Sequence, residues 1–249
     1  MKITFQTLHT NRKAFAITAC IIIALAASAV WFFAGNKKEV PKVPTVKSEP
    51  DTQPPKNEEI KLKFTSEPIP EEIRTKMQDV TISDKSPVTF DDLSYLTLTY
   101  IGYDGESYIG NMVVASEIAD EVIEIFKELY NIKFPIEKMR LPCEYDGVDE
   151  YSMRDNNTSA FNDRPIEGTG GLSFHQLGRA IDINPLVNPY IRFSDGEVLP
   201  TTAHKYLDRT LDEMGMLTAD SECVQIFKKH GWTWGGDWTS VKDYQHFEK

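Results

Sequence analysis

At 249 residues the chain has room for one good-sized globular domain with extensions, or for two small ones. A formal charge of -11, with no Lys/Arg stripe interleaved with aromatics, argues against nucleic acid as a partner, because its phosphates would be repelled. The 41% hydrophobic and 26% charged content is ordinary for a soluble fold. The three cysteines make no disulfide framework: Cys20 lies in an apolar run, and Cys143 and Cys223 are a possible but unforced pair that reads as two small buried hydrophobes.

Residues 1–13 read as a short cytoplasmic tail. Residues 14–35, "AFAITACIIIALAASAVWFFAG", carry no charge and would span about 33 Å as a helix, enough for a bilayer core of about 30 Å. The preferred reading is an uncleaved transmembrane anchor, with Trp31, Phe32 and Phe33 suited to an interfacial belt. A cleaved signal peptide is the rival, since "ASA" at 27–29 resembles a cleavage site, but the apolar run continues past it. A lipoprotein reading at Cys20 is weaker, because only Ala14, Phe15 and Ala16 separate Lys13 from "ITAC", too few for an h-region. Lysines and arginine flank the run on both sides, so charge does not set its orientation. Residues 36–61, with five prolines between positions 41 and 55 and alternating charge, read as a disordered, extended linker.

The folded domain is expected over 62–249, with mixed helix and strand signals and no internal repeat. "LSYLTLTYIGYDGESYIGNMVV" predicts two strands around a "YDGES" turn, with Leu96, Leu98 and Tyr100 on one face. "SEIADEVIEIFKELYNI" predicts a helix capped by Ser116, burying Ile118, Val122, Ile125, Phe126 and Leu129. The polar, turn-rich stretch 144–171 reads as a long loop or several turns. Further helices are expected over 203–214, halted by Gly215, and over about 220–230, halted by Gly231. Segregated strands and helices point to an α+β fold with an antiparallel sheet.

Chemistry concentrates at two places. In "AIDINP" the alternation sends Ile181 and Ile183 to the core and aims Asp182 at the opposite face, where a lone carboxylate is costly without a partner. His175 can reach that face if the intervening residues form a turn or short helix. Taken alone, this pair reads more readily as a hydrogen-bonded core pair. His246, beside Asp243 in "DYQHFEK", adds a second imidazole, and two histidines with one aspartate form a natural zinc set that leaves a fourth position open. His9, His204 and His230 look like surface or helix-end residues. Trp234 and Trp238 suit either a cleft wall or the core.

"SFHQLGRAIDI" followed far downstream by "DYQHFE" resembles the zinc peptidases that trim bacterial cell-wall peptides: D-alanyl-D-alanine carboxypeptidases, dipeptidases of the vancomycin-resistance type, and L-alanyl-D-glutamate endopeptidases of phage endolysins. Ser173, His175, Gly178, Ala180 and Asp182 fill the first motif, and Asp243 and His246 the second. The resemblance spans most of residues 90–249, including "DNNTSAFNDRP", "INPLVNPY" and "GGDW". It implies an α+β fold related to the hedgehog signalling domain, with a small antiparallel sheet and flanking helices carrying a zinc site. His175, Asp182 and His246 would then bind Zn²⁺, and Asp243 would be the general base. Relatives often carry a Ser-Gly-Tyr-Arg segment whose arginine steadies the substrate. Here the matching stretch is "SAFN" at 159–162, so Arg164 becomes the candidate substrate cation and Arg154 the runner-up.

The resemblance thus implies a zinc peptidase of the D-Ala-D-Ala carboxypeptidase type, acting on peptidoglycan peptides. It would be a monomer, held at the membrane by its N-terminal helix with the catalytic domain extracytoplasmic. An aspartate at 243 instead of glutamate is a trait of the endolysin-like branch and keeps L-Ala-D-Glu endopeptidase open as the alternative. A non-catalytic, metal-retaining binding module is the other reading, disfavoured because ligands and base are all present.

Overall fold

The computed structural model describes residues 61–164 and 171–249. The expected tail, anchor and linker before residue 61 lie outside the described residues. Among the described residues, no helix is long and apolar enough to cross a membrane.

The chain begins with β1 (Phe64–Pro68) and α1 (Glu71–Met77), followed by β2 (Leu93–Ile101) and β3 (Ser107–Ala115). These strands form an antiparallel sheet in the order β1-β2-β3. The expected hairpin is there, pairing Leu93 with Ala115 through Ile101 with Ser107. Alternation sorts the side chains. Leu96, Leu98, Met112 and Val114 enter the larger core, while Leu93 and Val113 meet Ile73 and Met77 of α1 on the other face.

Helix α2 (Ala119–Asn131) covers the larger core with Val122, Ile125, Phe126 and Leu129, all essentially inaccessible. Its start differs from expectation. Residues 116–118 form a 3-10 turn, Ile118 takes the N-cap position, and the Ser116 hydroxyl pairs with Ser94 of β2 instead of capping α2.

The polar stretch after residue 144 is not one long loop. It contains α3 (Asp149–Arg154) and β5 (Asn157–Thr158), which runs parallel to β4 (Lys138–Met139). Residues 165–170 lie outside the described residues. The turn-forming asparagines here are buried staples. Asn157 accepts from the Arg140 amide and donates to the Arg140 carbonyl and to Ser152, and Asn156 accepts from the Leu186 amide.

Three short strands follow: β6 (Ala180–Asp182), β7 (Tyr190–Arg192) and β8 (Glu197–Leu199). The helix expected over 203–214 is absent, replaced by a 3-10 turn at 203–207. Two local forces oppose a helix there. The Asp208 carboxylate bonds the Thr210 amide and hydroxyl, and the Arg209 guanidinium is committed to the carbonyls of Val187 and Leu217 and to Asn188. Helix α4 (Glu222–Lys229) then forms as expected and stops before Gly231. Strands β9 (Thr233–Trp234), β10 (Val241–Asp243) and β11 (His246–Glu248) complete two more antiparallel sheets, β6-β11-β9 and β10-β7-β8. Mixed α/β architecture with small antiparallel sheets and four α-helices therefore holds for the described residues. Cys143 and Cys223 are both free thiols.

Candidate metal centre

Each of the two motif segments is built locally. Ser173 caps a 3-10 turn over 174–177, its hydroxyl accepting from the His175 amide, while Gln176 reaches back to the Ser173 amide. Gly178 ends that turn at φ +66°, and a Cβ there would lie 2.6 Å from the Ala115 backbone nitrogen, so only glycine lets the turn dock on β3. The Ala115 amide donates to the Gly178 carbonyl and ties the two together.

Asp182 and His246 are brought side by side by register, since β11 pairs antiparallel with β6 and places them directly opposite each other. Phe247, between His246 and Glu248, points the other way and stacks on Phe227 with centroids 4.0 Å apart. Gly235 allows a close crossing, because a Cβ there would meet the Asp243 carbonyl at 2.6 Å.

His175, Asp182 and His246 converge, all three buried, with one potential ligand atom from each lying within 4.8 Å of the others. His175 Nε2 is 3.2 Å from Asp182 Oδ2, His246 Nδ1 is 3.1 Å from Asp182 Oδ1, and the two imidazole nitrogens are 3.2 Å apart. This donor set, two imidazoles and a carboxylate from three different segments, fits a zinc ion with an open coordination position.

Electrostatics agree with a site built for a cation. Burial would raise the Asp182 carboxyl, but the two imidazoles, His175 foremost, hold it well below the usual carboxylate range. Burial pushes His175 down, opposed by Asp182. His246 is pushed up to about 10 against its own burial, by hydrogen bonds to Asp182 and Glu248.

Asp243 ends β10, opposite Tyr190 of β7. The residue is partly buried, yet its Oδ1 is fully buried and has no hydrogen-bond partner. Desolvation raises its carboxyl to about 6, with the nearby His246 opposing and Asp182 reinforcing the shift. An unpartnered buried carboxylate oxygen beside a metal cluster is an acceptor awaiting a donor.

The "SAFN" segment runs along this cluster. Ser159 bridges to Asp182 through both backbone bonds, the Ala160 carbonyl lies 2.6 Å from His175 Nδ1, and the Asn162 amide donates to the His175 carbonyl. Arg164 follows, ion-paired with Asp149, and its charge acts on both His175 and Asp243, lowering each. Arg154 closes α3. Of the two tryptophans, Trp238 stands at the site, its ring 5.4 Å from that of His246. Trp234 is a core residue, 3% exposed, with its indole N–H donating to the Tyr244 carbonyl. His230 pairs with Glu128, away from the cluster.

Two contacts escaped sequence reasoning. Nothing in the sequence signals the Ala160 carbonyl. Glu248, whose Oε2 lies 3.1 Å from His246 Nε2, sits two residues beyond His246 in a strand, a spacing that puts both on one face.

Residues 167–249, the C-terminal third of the chain, match the family model described as D-alanyl-D-alanine carboxypeptidase. The match makes this third of the chain similar to that family. It contains His175, Asp182, Asp243 and His246, whereas Arg164 lies just outside it. No curated protein and no solved structure matches this chain.

Proposed function

We propose, from the match of residues 167–249 to the D-alanyl-D-alanine carboxypeptidase family model, that the protein hydrolyses an amide bond in peptidoglycan stem peptides as a zinc carboxypeptidase of the D-Ala-D-Ala type. The observation that carries this reading is the convergence of His175, Asp182 and His246 next to an unpartnered Asp243 oxygen.

His175, Asp182 and His246 would hold the ion, and zinc held there would supply a Lewis acid for the scissile carbonyl and make the attacking water more acidic. Asp243 accepts a proton from the attacking water as its oxygen bonds to the carbonyl carbon. The same carboxyl hands that proton to the departing nitrogen as the C–N bond breaks. Burial suits Asp243 to this exchange, because raising its pKa towards neutrality makes it both a competent base and a competent acid. Arg164 is the group proposed to steady a substrate carbonyl or carboxylate, where its planar fork can bind two oxygens at once.

The aspartate at 243 favours a second reading within the same family, an L-Ala-D-Glu endopeptidase. Either enzyme would work as a monomer outside the cell, tethered through residues 14–35. Incubating the purified full-length protein with zinc and sacculi, followed by mass spectrometry of the products, separates the possibilities. Free D-Ala is the expected product. A fragment beginning with D-Glu would establish the endopeptidase, and unchanged sacculi would refute both.

A further inference from the structure

We propose that Glu248 is a positioning residue for the metal centre, its carboxylate accepting the Nε2 proton of His246 so that the Nδ1 lone pair faces the cation. This assignment rests on the zinc-peptidase reading above.

A neutral imidazole offers a lone pair at one nitrogen and a proton at the other, and the partner of the protonated nitrogen decides which is which. In His246 the two ends are clearly separated. Nδ1 faces the cluster, 3.1 Å from Asp182 Oδ1 and 3.2 Å from His175 Nε2. Nε2 faces away from it, 3.1 Å from Glu248 Oε2. Strand geometry enforces this, because 246 and 248 share a face of β11 while Phe247 is locked in the core against Phe227.

Glu248 is available for the task. Its side chain is 23% exposed against 8% for His246, so the contact is sheltered but not sealed. The neighbouring Lys249 is directed elsewhere, onto both Glu121 oxygens and the His230 carbonyl. Lys249 therefore does not draw the Glu248 carboxylate away from the imidazole.

His175 shows the opposite arrangement. It presents Nε2 to the cluster and turns Nδ1 onto the Ala160 carbonyl at 2.6 Å. One histidine is thus oriented by a neutral backbone oxygen and the other by a carboxylate. A charged acceptor makes its imidazole the more basic donor, so His246 becomes the stronger of the two nitrogen ligands.

The test uses the full-length protein as wild type, Glu248→Ala and Glu248→Gln. Zinc affinity is read by competition with a chromophoric chelator, and the metal-free melting temperature reports the fold. Glu248→Ala should weaken zinc binding by roughly 10–100-fold, and Glu248→Gln, whose amide oxygen still accepts, should fall between. Nitrogen-15 spectra of the zinc-loaded wild type should place the His246 proton on Nε2. A wild type that binds zinc, with a folded Glu248→Ala within about twofold of it, overturns the assignment alone. So does a zinc-loaded wild type carrying the His246 proton on Nδ1, a result that needs no variant. A wild type that takes up no zinc overturns the peptidase reading and this assignment with it.

Discussion

In the proposed reaction, Asp243 is the residue on which the chemistry turns. Its buried Oδ1 has no partner, and its carboxyl is raised to about 6 by desolvation. Asp243→Asn keeps the shape and removes the base, so turnover should fall by roughly 10²–10⁴-fold while bound zinc, measured by elemental analysis, stays near one per chain. Retained activity in that variant would show that another group moves the proton. Asp182 was legible because the alternation of "AIDINP" betrays a carboxylate held among apolar residues, whereas His175 and His246 were joined to it only through the two-motif resemblance. The buried asparagines were not legible. Asn156, Asn157 and Asn162 are 1%, 0% and 3% exposed, yet their local composition is that of a surface loop. Asparagine serves equally well in an exposed turn and as a buried clamp on backbone amides, and which role it takes depends on partners distant in the chain.

Elements were read well where a long periodic pattern meets a core. The β2–β3 hairpin and α2 bury whole faces, and their stripes survive in the structure. The region 203–214 lacked such a face: Leu207 and Met214 are exposed, the Asp208 side chain takes the nearby Thr210 amide, and Arg209 is tied to the distant Val187 carbonyl. Strand β11 is the element that joins core to site, with Phe247 inaccessible between His246 and Glu248. Phe247→Ala should cost about 3–5 kcal/mol of stability, read as a lower denaturant midpoint, and weaken zinc binding as β11 loosens. An unchanged midpoint would mean that the aromatic stack with Phe227 contributes little. On α2, burial raises Glu121, but hydrogen bonds from Lys249 and Trp232 outweigh it and leave the carboxyl below its ordinary value of 4.5. A depressed folded-state pKa stabilises the fold above that ordinary value and loses its effect as pH falls through the folded one. Glu121→Gln should therefore cost about 1 kcal/mol at pH 7 and almost nothing in acid, measured by melting across pH. A difference independent of pH would contradict the ion-pair account.

At the scale of the whole molecule, the candidate metal centre draws on distant parts of the chain: the turn after Ser173, β6 and β11. A cation that binds all three ligands stabilises the folded state over an unfolded chain in which they are far apart. Zinc at about 100 times its dissociation constant should add about 2.7 kcal/mol, and a chelator should remove it, as scanning calorimetry would record. The melting temperature should accordingly rise with zinc and not with magnesium, which prefers oxygen ligands in octahedral array. The mixed helix-and-strand architecture was visible in the sequence, and the resemblance named the three candidate ligands because motif order survives without knowledge of register. What brings Asp182 opposite His246 is strand pairing, and only the structure supplies that. The most direct measurement is an anomalous difference map from crystals of the protein grown with zinc, recorded at the zinc edge. A single strong peak within about 2.0–2.2 Å of His175 Nε2, an Asp182 oxygen and His246 Nδ1 is the predicted result. Zinc held by other side chains, or no peak at this cluster, would contradict it.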